Sequence, residues 1–269
     1  MIVGFENRSV RLLIWLLTAV AIIVVYLPPV YLLGISFNPE LQPGLPAIGD
    51  MSLKWYAELA NERGLLAALR ESLLIATAAT VVSVVAALAA SLAYLELGRL
   101  RNIWFLVVLL PMFVPGIVQG LALSVILNRW QVVPFWGTVA LGHLLWTLPF
   151  AFIVILTSMV TIKKSYLLAA ADLGASWRQR VVHIVLPLIV PGLVGGVIFS
   201  FLLSLNEFAR SSYLVGRQNT LPLVMFGKMN SGATPTIYAL SGSIFFASIL
   251  AVGGFMYLSA RRSRKSAGG

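Results

Sequence analysis

Residues 163–196 read KKSYLLAAADLGASWRQRVVHIVLPLIVPGLVGG, and the place where charge stops within this stretch decides the fold. Lys163, Lys164, Asp172, Arg178 and Arg180 crowd its first eighteen positions, whereas 181–206 carries no Lys, Arg, Asp or Glu. The same alternation runs outward along the whole chain: 12–39, 72–95, 102–128, 130–162, 181–206 and 229–260 all lack Lys, Arg, Asp and Glu. About 20 helical residues cross roughly 30 Å of hydrocarbon, so each interval is long enough to traverse a bilayer.

Composition points the same way. Only 28 of 269 residues are charged and 59% are hydrophobic, where an ordinary soluble domain of this length would carry about 67 charges. The fold class expected is an all-α polytopic membrane protein, one transmembrane domain over 1–269, with no room for a second soluble enzyme domain. The absence of Cys excludes disulfides, Cys-ligated clusters and thiol catalysis, and the two histidines, His143 and His183, are too far apart for a local metal motif. No paired carboxylates or activated nucleophile converge on one place, so an enzyme is the weakest reading.

Six spans are expected, at 12–36, 70–94, 103–127, 138–160, 185–206 and 236–259, with 161–184 as a region between the fourth and fifth. In the first, Pro28 and Pro29 should bend or end the helix. A cleaved signal peptide is rejected there because the apolar run is too long and lacks a small-residue cleavage site. Residues 37–64, rich in Pro and Gly, form a polar connection with a short surface helix whose Trp55 and Tyr56 suit an interface. The second span is rich in small side chains, including Ser83 and Ser91, which permit close helix packing. Pro111, Pro115, Gly116 and Gly120 should kink or interrupt the third. His143, within the fourth, reads as a packed or hydrogen-bonded membrane residue.

Charge bias orients the spans. With both termini in the cytosol, the inner side receives twelve basic and three acidic residues and the outer side seven and six, which the positive-inside rule favours. The net charge of +10 then reflects topology, and no nucleic-acid recognition motif accompanies it. On the inner side, Ser165–Leu173 should form a short helix, Gly174 a sharp turn, and Ser176–His183 a second, basic surface before Pro187 opens the fifth span. Two short helices at a membrane face can dock into a soluble partner.

This hairpin resembles the EAA loop of ABC importer permeases: EAA, then Gly, then a hydrophobic residue and Leu-Pro after a fixed interval. The matching residues are Ala169, Ala170, Asp172, Leu173, Gly174, Ala175 and Ser176, followed by Ile184, Leu186 and Pro187. Leu168 stands where the family's usual Glu falls. GHLLWTLPFAFIVI, FLLSLNEFARSSYLVG and NTLPLVMFGKMNSGATPTIYALS extend the likeness over about 65–260 to the second permease subunit of spermidine/putrescine-type importers.

The resemblance implies a type I ABC importer transmembrane fold in a bacterial cytoplasmic (inner) membrane, with Ala169, Ala170, Asp172, Leu173, Gly174, Ala175, Ser176 and Arg178 in the ATPase-coupling element. It implies as partners two ATP-binding cassette subunits, a second related permease and an extracytoplasmic solute-binding protein, besides the lipid bilayer. ATP would be used by those ATPases and no cofactor bound by this chain, which has no GxxxxGK[ST] phosphate loop. Polyamine is the implied substrate class. Asn206 and Glu207 match the family's polar-acidic pair at the outer end of span five, where Glu207 would attract an ammonium group. Tyr94, Trp146, Tyr213 and Tyr238 offer cation–π faces along a substrate path or gate, with interfacial anchoring as the competing role. An importer of another small solute, a secondary transporter with inverted halves, and a membrane scaffold remain the competing functions.

Overall fold

The computed structural model describes residues 8–232, 235–247 and 249–250. Among them every regular element is helical. In chain order the α-helices are α1 Arg8–Ile35, α2 Lys54–Asn61, α3 Arg63–Glu96, α4 Arg101–Leu109, α5 Gly116–Arg129, α6 Trp136–Val160, α7 Lys164–Asp172, α8 Trp177–Arg180, α9 Leu186–Leu188, α10 Val190–Leu205, α11 Ser211–Leu214, α12 Leu221–Asn230 and α13 Pro235–Ala247. The chain divides into two compact units, one of 1–63 with 228–269, the other of 64–227.

In the first unit α1 continues as one helix through Pro28 and Pro29, so the expectation that they would end its hydrogen-bond ladder does not hold. Each proline removes only its own donor, and the turn beyond them still closes, with Ser36 N donating to Leu32 O at 3.0 Å. Trp55 on α2, expected at an interface, is buried within the unit, and its indole Nε1 donates to the Asn38 carbonyl at 2.7 Å. Tyr56 meets the Ser36 hydroxyl at 2.6 Å, so α2 is fastened to the end of α1 by two side chains. A Lys228–Glu62 ion pair lies in the same unit.

The second unit is built on α3, α6 and α10. Ala76, Ala79, Ser83, Ala87 and Ala90 are buried at three- and four-residue intervals on α3, a stripe of small side chains that lets a neighbouring helix approach. Ala87 and Ala90 share a buried cluster with Phe152, Ile155 and Met159 of α6 and with Val185 and Ile189. Gly192 and Gly196 bring α10 against α6: a Cβ at Gly192 would overlap Ser158, and one at Gly196 would lie 3.3 Å from Ile155.

By length and composition α1, α3 and α6 can each cross a membrane, and two bent pairs add up to two more crossings. Gly98–Phe113 and Gly116–Arg129 meet at 95°, and Trp177–Leu188 and Val190–Leu205 at 69°. The first corner follows from its prolines. Val114, preceding Pro115, is held extended at φ −93°, ψ 129°, and Pro115 itself sits outside the helix it precedes. The spans expected at 103–127 and 185–206 are therefore broken, and the one at 70–94 lies inside the longer α3. The sixth, 236–259, begins in α13; beyond residue 250 it lies outside the described residues, as do Arg261, Arg262, Arg264 and Lys265.

Candidate functional site

Two places gather the chemistry. The first is the hairpin of α7 and α8. Ala175 N donates to Ala170 O at 2.9 Å and Gly174 N to Ala171 O at 2.9 Å, the paired bonds of a Schellman stop, with Gly174 left-handed at φ +82°. A Cβ at Gly174 would meet nothing within 4 Å, so the residue is required by its backbone angle and not by space. Ser176 then starts α8 with a capping box: Gln179 N donates to its hydroxyl at 3.3 Å, and Ser176 N donates to Gln179 Oε1 at 2.8 Å. A π-helical turn, Val181–Val185, carries α8 into α9. Ala169, Asp172, Leu173, Gly174, Ser176 and Arg178 are exposed and Ala170 and Ala175 partly so. Leu173 is 88% exposed and Leu168 63%, which leaves apolar side chains uncovered at the turn.

The second place is a buried polar seam that runs through the apolar interior of the second unit. Ser83 on α3 and Thr147 on α6 meet at 2.5 Å, and Thr147 Oγ1 donates in turn to the His143 carbonyl at 2.9 Å. The His143 ring bridges Ser204 Oγ at 2.6 Å from Nδ1 and Ser211 Oγ at 2.9 Å from Nε2. Ser211 has one hydroxyl proton and gives it to the Glu207 carbonyl at 2.8 Å, so the network assigns the ring proton to Nε2 and leaves Nδ1 to accept from Ser204. His143 is thus a hydrogen-bonded core residue joining α6, α10 and α11.

Glu207 is buried as well, and its charge is answered. Arg210 Nη1 lies 2.7 Å from Glu207 Oε2, while Arg210 N donates to Oε1 at 3.0 Å. Arg210 Nε donates to Gln119 Oε1 at 2.7 Å, and the Gln119 amide nitrogen donates to the Pro111 carbonyl at the proline corner. The guanidinium also lies 5.0 Å from the Trp146 ring centroid, a cation–π distance. Small residues make room for it: Cβ atoms at Gly116 and Gly120 would fall 2.8 Å from Arg210 Nη1 and 3.0 Å from its Cα.

Beside this knot opens a cavity of about 820 Å³ whose wall includes Trp146, Asn206, Glu207, Arg210, Phe113 and Phe199. Of the residues expected along a substrate path, the structure brings Trp146, Asn206 and Glu207 together there. Asn206 is exposed and donates to Leu202 O at 2.9 Å. Tyr213 lies one turn away, lining a separate space of about 50 Å³. Tyr94 is elsewhere, edge-on to Phe105 with centroids 6.2 Å apart, in the wall of a cavity at the hairpin. Tyr238 belongs to the other unit. Arg210 and Gln119 went unread in the sequence. The legible signal was spacing: an acid and a base three residues apart share one side of a turn.

Broken apolar helices around a polar seam and a cavity, with a hairpin of short exposed helices, define a membrane permease. Known proteins agree. Residues 80–265 match the family model described as binding-protein-dependent transport system inner membrane component. The chain is 28% identical over 251 residues to the putrescine transport system permease protein PotI of Escherichia coli strain K12, covering 89% of this chain and 88% of that one. It is 32% identical over 219 residues to the spermidine/putrescine transport system permease protein PotC of Haemophilus influenzae, covering 80% and 84%. The fold is shared with a bacterial ABC transporter involved in import of the acidic polysaccharide alginate, at TM-score 0.68 and 16% identity, over 97% of this chain and 99% of that one. The chain belongs to the family of binding-protein-dependent transport system inner membrane components. By family it is a multi-pass membrane permease subunit, the non-catalytic part of a transporter, and among the described residues no group of three or more His, Asp or Glu is placed to hold a metal ion.

Proposed function

We propose that the chain is one of two permease subunits of an ATP-driven importer and that the solute is a polyamine. It works with two ATPase subunits, a second, non-identical permease and an external solute-binding protein, in a bacterial inner membrane with six spans and both termini in the cytosol. The observation that carries this is likeness along most of the chain to permeases named for putrescine and spermidine. The hairpin supports the coupling role: Ala169–Ser176 and Arg178 present a stiff, Schellman-stopped turn with exposed Leu173, the build needed to seat in an ATPase groove. Displacement of that turn would reach the broken helices through α9 and the Ile189 corner.

The polyamine assignment draws little from charge in the cavity. Glu207 is neutralised by Arg210, and Arg210 occupies the face of Trp146, so the wall is close to neutral. Selection among solutes then falls to the external binding protein. The test is affinity purification from the native membrane with stoichiometry of co-purifying chains, paired with uptake of labelled putrescine and spermidine by cells with and without the gene. Two ATPases and one related permease per copy, with uptake lost on deletion, are expected. A transport-active chain recovered without any ATPase overturns the importer reading, and normal polyamine uptake after deletion overturns the substrate.

A further inference from the structure

Four span ends converge on one cavity at the hairpin. Leu92–Glu96 closes α3, Arg101 opens α4, Met159–Lys164 leads from α6 into α7, and Val181 and Val185 precede α9. The space between them is about 390 Å³. Its lining is mixed in character. Leu92, Leu95, Met159 and Val185 give it apolar wall, and Arg101, Lys164 and Arg180 line it too, with Glu96 as the single carboxylate.

Among the described residues none of those three cations makes an ion pair. Arg180 Nε is buried and has no hydrogen-bond partner, a state that calls for a missing acceptor. Tyr94 and Trp177 also line it, the residue types that settle at headgroup level. The level fits too, because charge-free runs of the sequence end within a few residues of this point, at 95, 162 and 181.

From this arrangement we infer that the cavity is a binding site for an anionic phospholipid, its phosphate held by Arg101, Lys164 and Arg180 and its acyl chain lying against Leu92, Leu95 and Met159. Basic recesses between span ends on the cytosolic side suit such headgroups. The apolar lining favours a lipid over free phosphate, which has no use for it. The inference rests on the proposed topology only in placing the hairpin at the cytosolic leaflet. A bound lipid there would brace α8, and through it the hairpin, against the ends of α3 and α6.

The test is native mass spectrometry of the assembled complex in detergent, titrated with phosphatidylglycerol or phosphatidylcholine, with inorganic phosphate as competitor. One phosphatidylglycerol per copy of this chain is expected to be retained in preference to phosphatidylcholine. Retention should fall about fivefold for each cation removed in Arg180→Gln and in the Arg101→Gln/Lys164→Gln pair, and persist in Lys164→Arg. Arg180→Gln alone decides the matter if the double variant does not fold. Equal retention of both lipids, or no change in Arg180→Gln, overturns the site. Displacement of the lipid by millimolar phosphate makes it a phosphate site instead. Binding seen only after the ATPases are stripped away assigns the cations to an acidic face of that partner. None of these results bears on whether the complex imports polyamine, which uptake decides separately.

Discussion

Arg210 holds Glu207 by two routes, its guanidinium at 2.7 Å and its own backbone N–H at 3.0 Å, so the ion pair also fixes the turn that leads from α10 into α11. Removing one partner strands the other charge in an apolar interior. Glu207→Gln or Arg210→Met alone should therefore cost about 3–5 kcal/mol, with the double variant costing markedly less. Thermal unfolding of the purified chain in detergent checks this; three variants that unfold with the wild type would show the pair to be structurally idle.

Gly174 is left-handed in open space. Gly174→Ala should cost about 1–2 kcal/mol at the turn, and Gly174→Asn less, because Asn tolerates that conformation. Solute-stimulated ATP hydrolysis by the assembled complex should follow the order Gly, Asn, Ala; equal rates for all three would show that the turn does not set coupling.

Gly142 faces Leu214 so closely that a Cβ there would overlap its Cδ1. Gly142→Ala should destabilise by about 1–3 kcal/mol through overpacking. Leu214→Val in the same chain should recover part of that loss, since the obstacle is the end of one side chain. Membrane yield and melting temperature of the single and double variants provide the measurement, and failure of the second change to help places the clash elsewhere.

The seam should be graded in strength. Ser83→Ala deletes one interhelical hydrogen bond while Thr147 keeps its bond to the His143 carbonyl, a loss of about 0.6 kcal/mol. His143→Leu takes the partner from both Ser204 and Ser211 and should cost about 1–3 kcal/mol. Chemical denaturation in mixed micelles should rank them in that order, and a reversed order would remove His143 from the centre of the network.

Much of the fold was legible because a bilayer punishes charge over a known length. The intervals at 12–39, 72–95 and 130–162 announced α1, α3 and α6, although α3 runs past its interval through Arg63, Arg70 and Glu71, since a helix need not stop where lipid does. Pro111 and Pro115 announced the 95° corner, yet Pro28 and Pro29, read as able to end a ladder, lie inside the continuous helix α1. The same residue type gave opposite outcomes because at the corner an extended Val114 separates the two prolines' helices, whereas in α1 both prolines fall within one continuing ladder. Gly174 as a helix stop followed from local rules alone. The Glu207–Arg210–Gln119 knot did not, because Gln119 is 91 residues from Arg210 and only tertiary packing makes them neighbours.

The proline corner bears on what the membrane can hold back. A helix broken inside hydrocarbon frees carbonyl groups, and a free carbonyl is where a file of water molecules begins. At this corner the Pro111 carbonyl is taken by the Gln119 amide, and the other end of that amide by Arg210. With that one carbonyl engaged, the bend offers water one fewer free acceptor where it lines the cavity.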